Sequence, residues 1–141
     1  MMSKKRSQAR RHAVQAIYQW QMAGQDLAAI YEQFLGEQDL SQFEVPYFKD
    51  LLHGVPNNLQ ELDGLLKPAL DRAIESVDPV ERAVLRLGVY ELKHHMEVPY
   101  RVVINEAVEL AKVFGAEKGH RFVNGVLDRV AKSVRAAEIR G

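Results

Sequence analysis

No cysteine occurs in the 141 residues, which removes disulfides, thiolate metal sites and a cysteine nucleophile together. Long hydrophobic runs are missing too. No stretch approaches the roughly 18 uncharged apolar residues of a membrane span, and no apolar run of signal-peptide length follows the basic start, so a soluble, unexported, cytoplasmic protein is expected. Nothing alternates with period two for long enough to make a strand. The signatures Gly-x-x-x-x-Gly-Lys-Ser/Thr, Gly-x-Gly-x-x-Gly, Gly-x-Ser-x-Gly and His-Glu-x-x-His are all absent. His94 and His95 are adjacent and diverge on a helix, and Glu91 adds at most one further ligand, so they read as surface residues and not as a metal site. The expectation is a non-enzymatic protein with no cofactor and no metal.

What is present is charge, unevenly placed. The formal net charge is zero, yet the first 25 residues hold Lys4, Lys5, Arg6, Arg10 and Arg11 with no acid, a segment of +5. Residues 26–111 sum to −9 and residues 112–141 to +4. Two basic ends flanking an acidic middle suit an anionic partner at one surface and a cationic one at another, because local clustering sets the field.

The apolar spacing is helical throughout, which predicts an all-α chain. Ser7 is placed to cap a first helix whose Ala13, Ala16, Ile17 and Trp20 share a stripe and which ends at Gly24. Asp26 caps a second helix that stops near Gly36, and a third starts around Glu44 to Pro46. Pro56 breaks or kinks that helix before it resumes through Leu59, Leu62 and Leu66 to close at Lys67-Pro68. A short helical piece from Leu70 to Ile74 leads to Asp78-Pro79-Val80-Glu81, which combines an N-cap, a first-turn proline and a capping-box carboxylate. The helix that follows is apolar around most of its circumference and reads as the central one. Val98-Pro99 breaks the chain, Gly115 ends the next helix, and the last runs from about Glu117 to Ala131. The expected organisation is one domain over 1–141 of about six to seven helices in two packed bundles. It has a basic arm at 1–12 and helical subdomains at about 7–68 and 78–135.

On the last helix Phe122, Val123, Val126, Leu127 and Val130 share one face, Lys118, Arg121, Arg129 and Lys132 gather on another, and Phe122 lies between them. An aromatic beside cations is what single-stranded RNA needs, since bases stack on the ring while the cations neutralise phosphates. The competing reading is that Phe122 is a core residue and the cations are solvated. Tyr18 poses the same choice: it lies outside the apolar stripe of the first helix on the side of Arg11, and either stacks on a base or packs on the second helix. Lys4-Lys5-Arg6 precedes the expected cap and is read as a segment that orders on RNA. Asn124, next to the apolar face, reads as a polar group satisfied at a helix contact.

Two pairs of segments carry more than charge. Residues 13–20, Ala-Val-Gln-Ala-Ile-Tyr-Gln-Trp, and 47–55, Tyr-Phe-Lys-Asp-Leu-Leu-His-Gly-Val, resemble the N-terminal half of the bacterial NusB family of transcription antitermination factors. Residues 98–112, Val-Pro-Tyr-Arg-Val-Val-Ile-Asn-Glu-Ala-Val-Glu-Leu-Ala-Lys, and 122–128, Phe-Val-Asn-Gly-Val-Leu-Asp, are similar to its C-terminal signature. The resemblance runs from about Arg6 to Lys132. It implies two helical bundles and binding of the boxA element of ribosomal RNA operon transcripts together with the ribosomal protein NusE, as part of an antitermination complex on RNA polymerase. The family's arginine-rich N-terminus matches Arg6, Arg10 and Arg11, although Ser7 and Gln8 stand where basic residues are common in relatives. Its first-helix tyrosine matches Tyr18, and Lys118 and Arg121 match a further part of the RNA surface. The acidic Glu75, Asp78 and Glu81 are the expected docking face for the basic protein partner, with helix capping as the competing role of Asp78 and Glu81. The same helical domain also resembles the N-terminal part of ribosomal RNA cytosine methyltransferases, whose catalytic domain and cysteine the 141 residues do not contain. A protein-interaction adaptor without an RNA role is the other alternative.

Overall fold

The computed structural model describes residues 4–141. They form eight α-helices and no strand among the described residues. The chain divides into two compact units, one up to Asn57 and one from Asn58 onward.

The first unit holds α1 (Lys4–Ala23), α2 (Leu27–Glu37) and α3 (Val45–Asn57). Gly24, with φ of +62°, ends α1 in the left-handed conformation that glycine adopts without a Cβ penalty. Asp26 caps α2 by accepting from the Ala29 N–H. The start of α1 differs from expectation: the helix begins by Lys4, so Ser7 lies inside it and Lys4-Lys5-Arg6 is helical. The first three residues of the basic arm lie outside the described residues. Ala9, Ala13, Ala16 and Ile17 bury the inner face against Leu51, Leu52 and Val55 of α3 and the aromatics Phe34, Phe43 and Phe48. His12 points into those rings, with centroid distances of 4.6 Å to Phe43, 6.3 Å to Phe34 and 6.4 Å to Phe48. Its Nδ1 is buried without a hydrogen-bond partner.

The second unit contains α4 (Leu59–Leu66), α5 (Pro79–His94), α6 (Tyr100–Phe114), α7 (Gly119–Val134) and α8 (Ala136–Arg140), with 3₁₀ turns at Lys67–Ala69 and Ile74–Ser76. The helical piece expected at 70–74 does not form: residues 70–73 are a turn between the two 3₁₀ segments, and Ile74 opens the second. The expected subdomain of 7–68 put residues 59–66 with the first bundle. They cluster instead with the second, because Pro56 ends α3 and Asp63 on α4 accepts two bonds from Arg86 of α5, at 3.0 and 2.9 Å. The last strong helix starts at Gly119 and not at Glu117, and α8 was not foreseen.

Helix α5 is central, buried from Ala83 to Leu92. A helix buried in this way cannot leave its end groups to water. Asp78 accepts from the N–H groups of Val80 and Glu81 at one end. At the other, the buried Arg135 guanidinium donates to the carbonyls of Leu92 at 2.7 Å, His95 at 3.0 Å and Glu91 at 3.3 Å. Glu138, ion-paired with Arg135, in turn accepts from the Tyr100 N–H that opens α6. Midway along α5, Gly88 allows close approach of α7: a Cβ there would stand 2.9 Å from Leu127 Cδ1.

Two outcomes follow. Arg135→Ala should lower stability by about 3 kcal/mol in urea unfolding, because it removes three charge-assisted bonds and with them the 2.7 Å donor of the buried Leu92 carbonyl; an unchanged midpoint would refute the capping role. Burial, and then the Arg11 charge, push the His12 imidazole below its ordinary value. With the folded value depressed, the unfolded chain binds more protons in acid, so His12 favours the fold above about pH 6.5 and that contribution is lost as pH falls below it. The stability difference between pH 7.5 and pH 5.5, measured in wild type and His12→Leu, should be smaller in the variant.

Candidate nucleic-acid interface

Helix α1 starts with cations where its partial positive charge makes cations unfavourable, and no acid occupies its first turn. Lys4 and Lys5 are exposed there. Arg6 is not a bare cation: its Nε and Nη2 donate to Glu44 at 3.2 and 3.0 Å, and its guanidinium lies over the Tyr47 ring at 4.1 Å. The bond to Glu44 raises the Arg6 pKa, and the same bond lowers that of Glu44. Arg10 corrects an expectation. It is 1% exposed, with its guanidinium 5.4 Å from the same Tyr47 ring, and so has no surface to offer a phosphate. Arg11 is half-buried.

Tyr18 is 38% exposed, on a helix whose other aromatic, Trp20, is half-buried. It stands seven residues from Arg11, two helical turns along one side. Met22, one turn further, is also exposed, so an apolar strip continues past the ring.

In the second unit, Lys118 precedes α7 with φ of +70°, a left-handed conformation that is costly for any residue with a Cβ. Lys118 and Arg121 are exposed, and Phe122 in the first turn is half-buried. The Phe122 ring is covered by Arg72, whose guanidinium carbon lies over it at 4.5 Å. The roles of Arg72, Glu44 and Tyr47 are not legible in the sequence, since Arg72 meets Phe122, and Glu44 and Tyr47 meet Arg6, from far along the chain. Tyr47 opens the family-like segment 47–55, and an acid three residues before that aromatic, at the start of α3, is the local signal for the Arg6 clamp.

The three acidic candidates separate. Glu75 is exposed. Asp78 is exposed but committed to the cap of α5. Glu81 is a correction, being 8% exposed and packed on the start of α7, where a Cβ on Gly119 would collide with its Oε2. Burial, and then the neighbouring Asp78 charge, raise its pKa. A carboxylate so placed belongs to the packing of α5 against α7. His94 lies 2.7 Å from Glu61 and His95 2.8 Å from Glu97, and no cluster of three metal-ligating residues occurs among the described residues.

A family model described as the NusB family matches residues 7–132. The chain is 56% identical over 139 residues to the transcription antitermination protein NusB of Nitrosococcus oceani, spanning 99% of this chain and 93% of that protein. Among solved structures it is similar to antitermination factors NusB and NusE in complex with dsRNA, with a TM-score of 0.84 and 29% identity over 94% of this chain and 99% of that one. T. maritima NusB aligns with a TM-score of 0.78 and 31% identity, covering 93% of each chain. No helix among the described residues is long and apolar enough to cross a membrane.

The backbone at Lys118 generates its own test. Lys118→Gly relieves a left-handed strain of about 1–2 kcal/mol and loses roughly 0.5–1 kcal/mol to unfolded-state entropy, so its thermal midpoint should equal or exceed that of wild type. Lys118→Val, β-branched at a positive φ, should melt lower than either.

Proposed function

The chain belongs to the NusB family, and we propose on that footing that it is a transcription antitermination factor that binds boxA-type RNA of ribosomal RNA operon transcripts. It does so with the ribosomal protein NusE, helping to assemble an antitermination complex on RNA polymerase in the cytoplasm, and it catalyses no reaction. The solved relative is itself a complex of NusB and NusE with dsRNA. The observation that carries the RNA reading is the outer surface of α1, where Lys4 and Lys5 stand against the helix dipole and Tyr18 presents an exposed ring.

Phosphates are met by Lys4, Lys5 and Arg11 in the first unit and by Lys118 and Arg121 in the second. Arg6 joins them only by exchanging Glu44 for phosphate, with its guanidinium kept in plane by the Tyr47 ring beneath it. Arg10 serves beneath the surface, supporting Tyr47 and through it Arg6. Glu75 remains a surface carboxylate for the basic protein partner, where opposite charge speeds encounter more than it deepens affinity.

Titration of a boxA-type RNA in the presence of NusE tests the proposal. Affinity should fall with salt at about −0.7 per neutralised phosphate, for about three to five contacts. Tyr18→Phe should bind nearly normally and Tyr18→Ala should lose about 1–3 kcal/mol with an unchanged salt slope, as removal of one base platform does. A flat salt response, or a Tyr18→Ala chain that melts lower yet binds RNA undiminished, would assign these residues to packing.

A further inference from the structure

The ring of Phe122 carries Arg72 above it, and how Arg72 is held decides what that pair can do. Arg72 comes from the turn between the two 3₁₀ segments, where no helix fixes it. Asp71 does so instead: its carboxylate accepts from Arg72 Nε at 2.7 Å and from Nη2 at 3.3 Å. Those bonds occupy one edge of the guanidinium and orient its plane. The ring occupies the space on one side, yet the Arg72 side chain is still 45% exposed.

Resting on the RNA function above, we propose that Arg72, and not the Phe122 ring, is the base-stacking surface of the second unit. An unstacked nucleobase of the bound RNA lies on the outer side of the guanidinium, and Phe122 is the support beneath it. Three features carry this. A base could reach the covered side of the Phe122 ring only by displacing Arg72 from both the ring and Asp71, whereas stacking on the guanidinium displaces neither. A phosphate is disfavoured as the ligand, because the exposed Asp71 carboxylate beside Arg72 offsets its charge and would repel an anion. A neutral base meets no such repulsion, and guanidinium planes are established stacking partners for splayed-out bases. Finally, Arg72 also lines a cleft of about 470 Å³ with Lys67, Ile74 and Glu75, within the roughly 300–1,000 Å³ range of small-ligand sites, so a base displaced from its own strand has somewhere to go.

The experiment uses the full chain with its protein partner and boxA-type RNAs carrying 2-aminopurine at successive positions. Arg72→Ala should weaken RNA binding by roughly 5- to 150-fold, the range for one base platform, and abolish the fluorescence change at one labelled position. Arg72→Lys keeps the charge without the plane and should lose nearly as much, with the salt slope unchanged in both. Phe122→Leu, which removes the ring but retains apolar bulk, should cost less than Arg72→Ala. Arg72→Lys binding as wild type does would make Arg72 a point-charge contact and overturn the proposal. So would a Phe122→Leu loss larger than that of Arg72→Ala, which would return the stacking to the ring. Loss of protein-partner affinity with RNA affinity intact would assign the turn to the protein interface. In each of those three outcomes wild type still binds RNA through α1. Failure of wild type itself to bind RNA is the separate result that removes the function along with this inference.

Discussion

A buried helix has to find partners for its own ends, and in the second unit that requirement organises everything around α5. Asp78 takes the N-terminal donors, and Arg135 reaches back from the end of α7 to take the C-terminal carbonyls. Because one guanidinium closes α5 while its ion-pair partner Glu138 opens α6, the turn between those helices is fixed from outside by residues about 40 positions later. The short α8 exists to present Glu138, and this explains a helix too brief to be stable by itself. Asp63 and Arg86 do for the flank of α5 what the caps do for its ends. Paired charges in a half-buried setting hold α4 in one register on α5, which apolar contact alone leaves free to slide.

The same economy governs the cations of α1. Three arginines within six positions would repel one another if all were buried or all unpaired. The chain separates them by environment: Arg6 takes Glu44 and one face of Tyr47, Arg10 is sealed in near the same ring, and Arg11 lies at the margin. Tyr47 thus sorts the charges into structural and surface ones. A basic segment written as a run in the sequence is a layered object in space.

Most helices were legible because their signals are local. Asp26, Asp78-Pro79, Pro56 and Gly24 each act on the backbone within a turn of themselves, and each marks a boundary near where it is found. Failures came where the deciding partner is distant. Arg10 is buried close to Tyr47, Glu81 packs on Gly119 at the start of α7, and Phe122 is covered from a turn fifty residues earlier. A charge pattern read along a chain assumes that charged side chains are outside. Arg10, Glu81, Arg86, Glu91 and Arg135 all break that assumption, and each does so as part of a helix packing against another. Ser7 misled for a different reason: it has the chemistry of a cap, but the helix had already begun at least three residues before it.

The missing side chain at Gly88 has a reach of its own. Leu127 settles into the space it leaves, and Leu127 and Phe122 ride on the same rigid helix, five residues apart. The height of the Phe122 ring above the turn that carries Arg72 is therefore inherited from a contact deep in the core. An added methyl at position 88 would be absorbed by rotation of the Leu127 tip, but any larger group would lift α7 as a body. A survey of variants scored only by ligand affinity would then single out Gly88 as though it touched the ligand, when what it sets is the spacing of two helices.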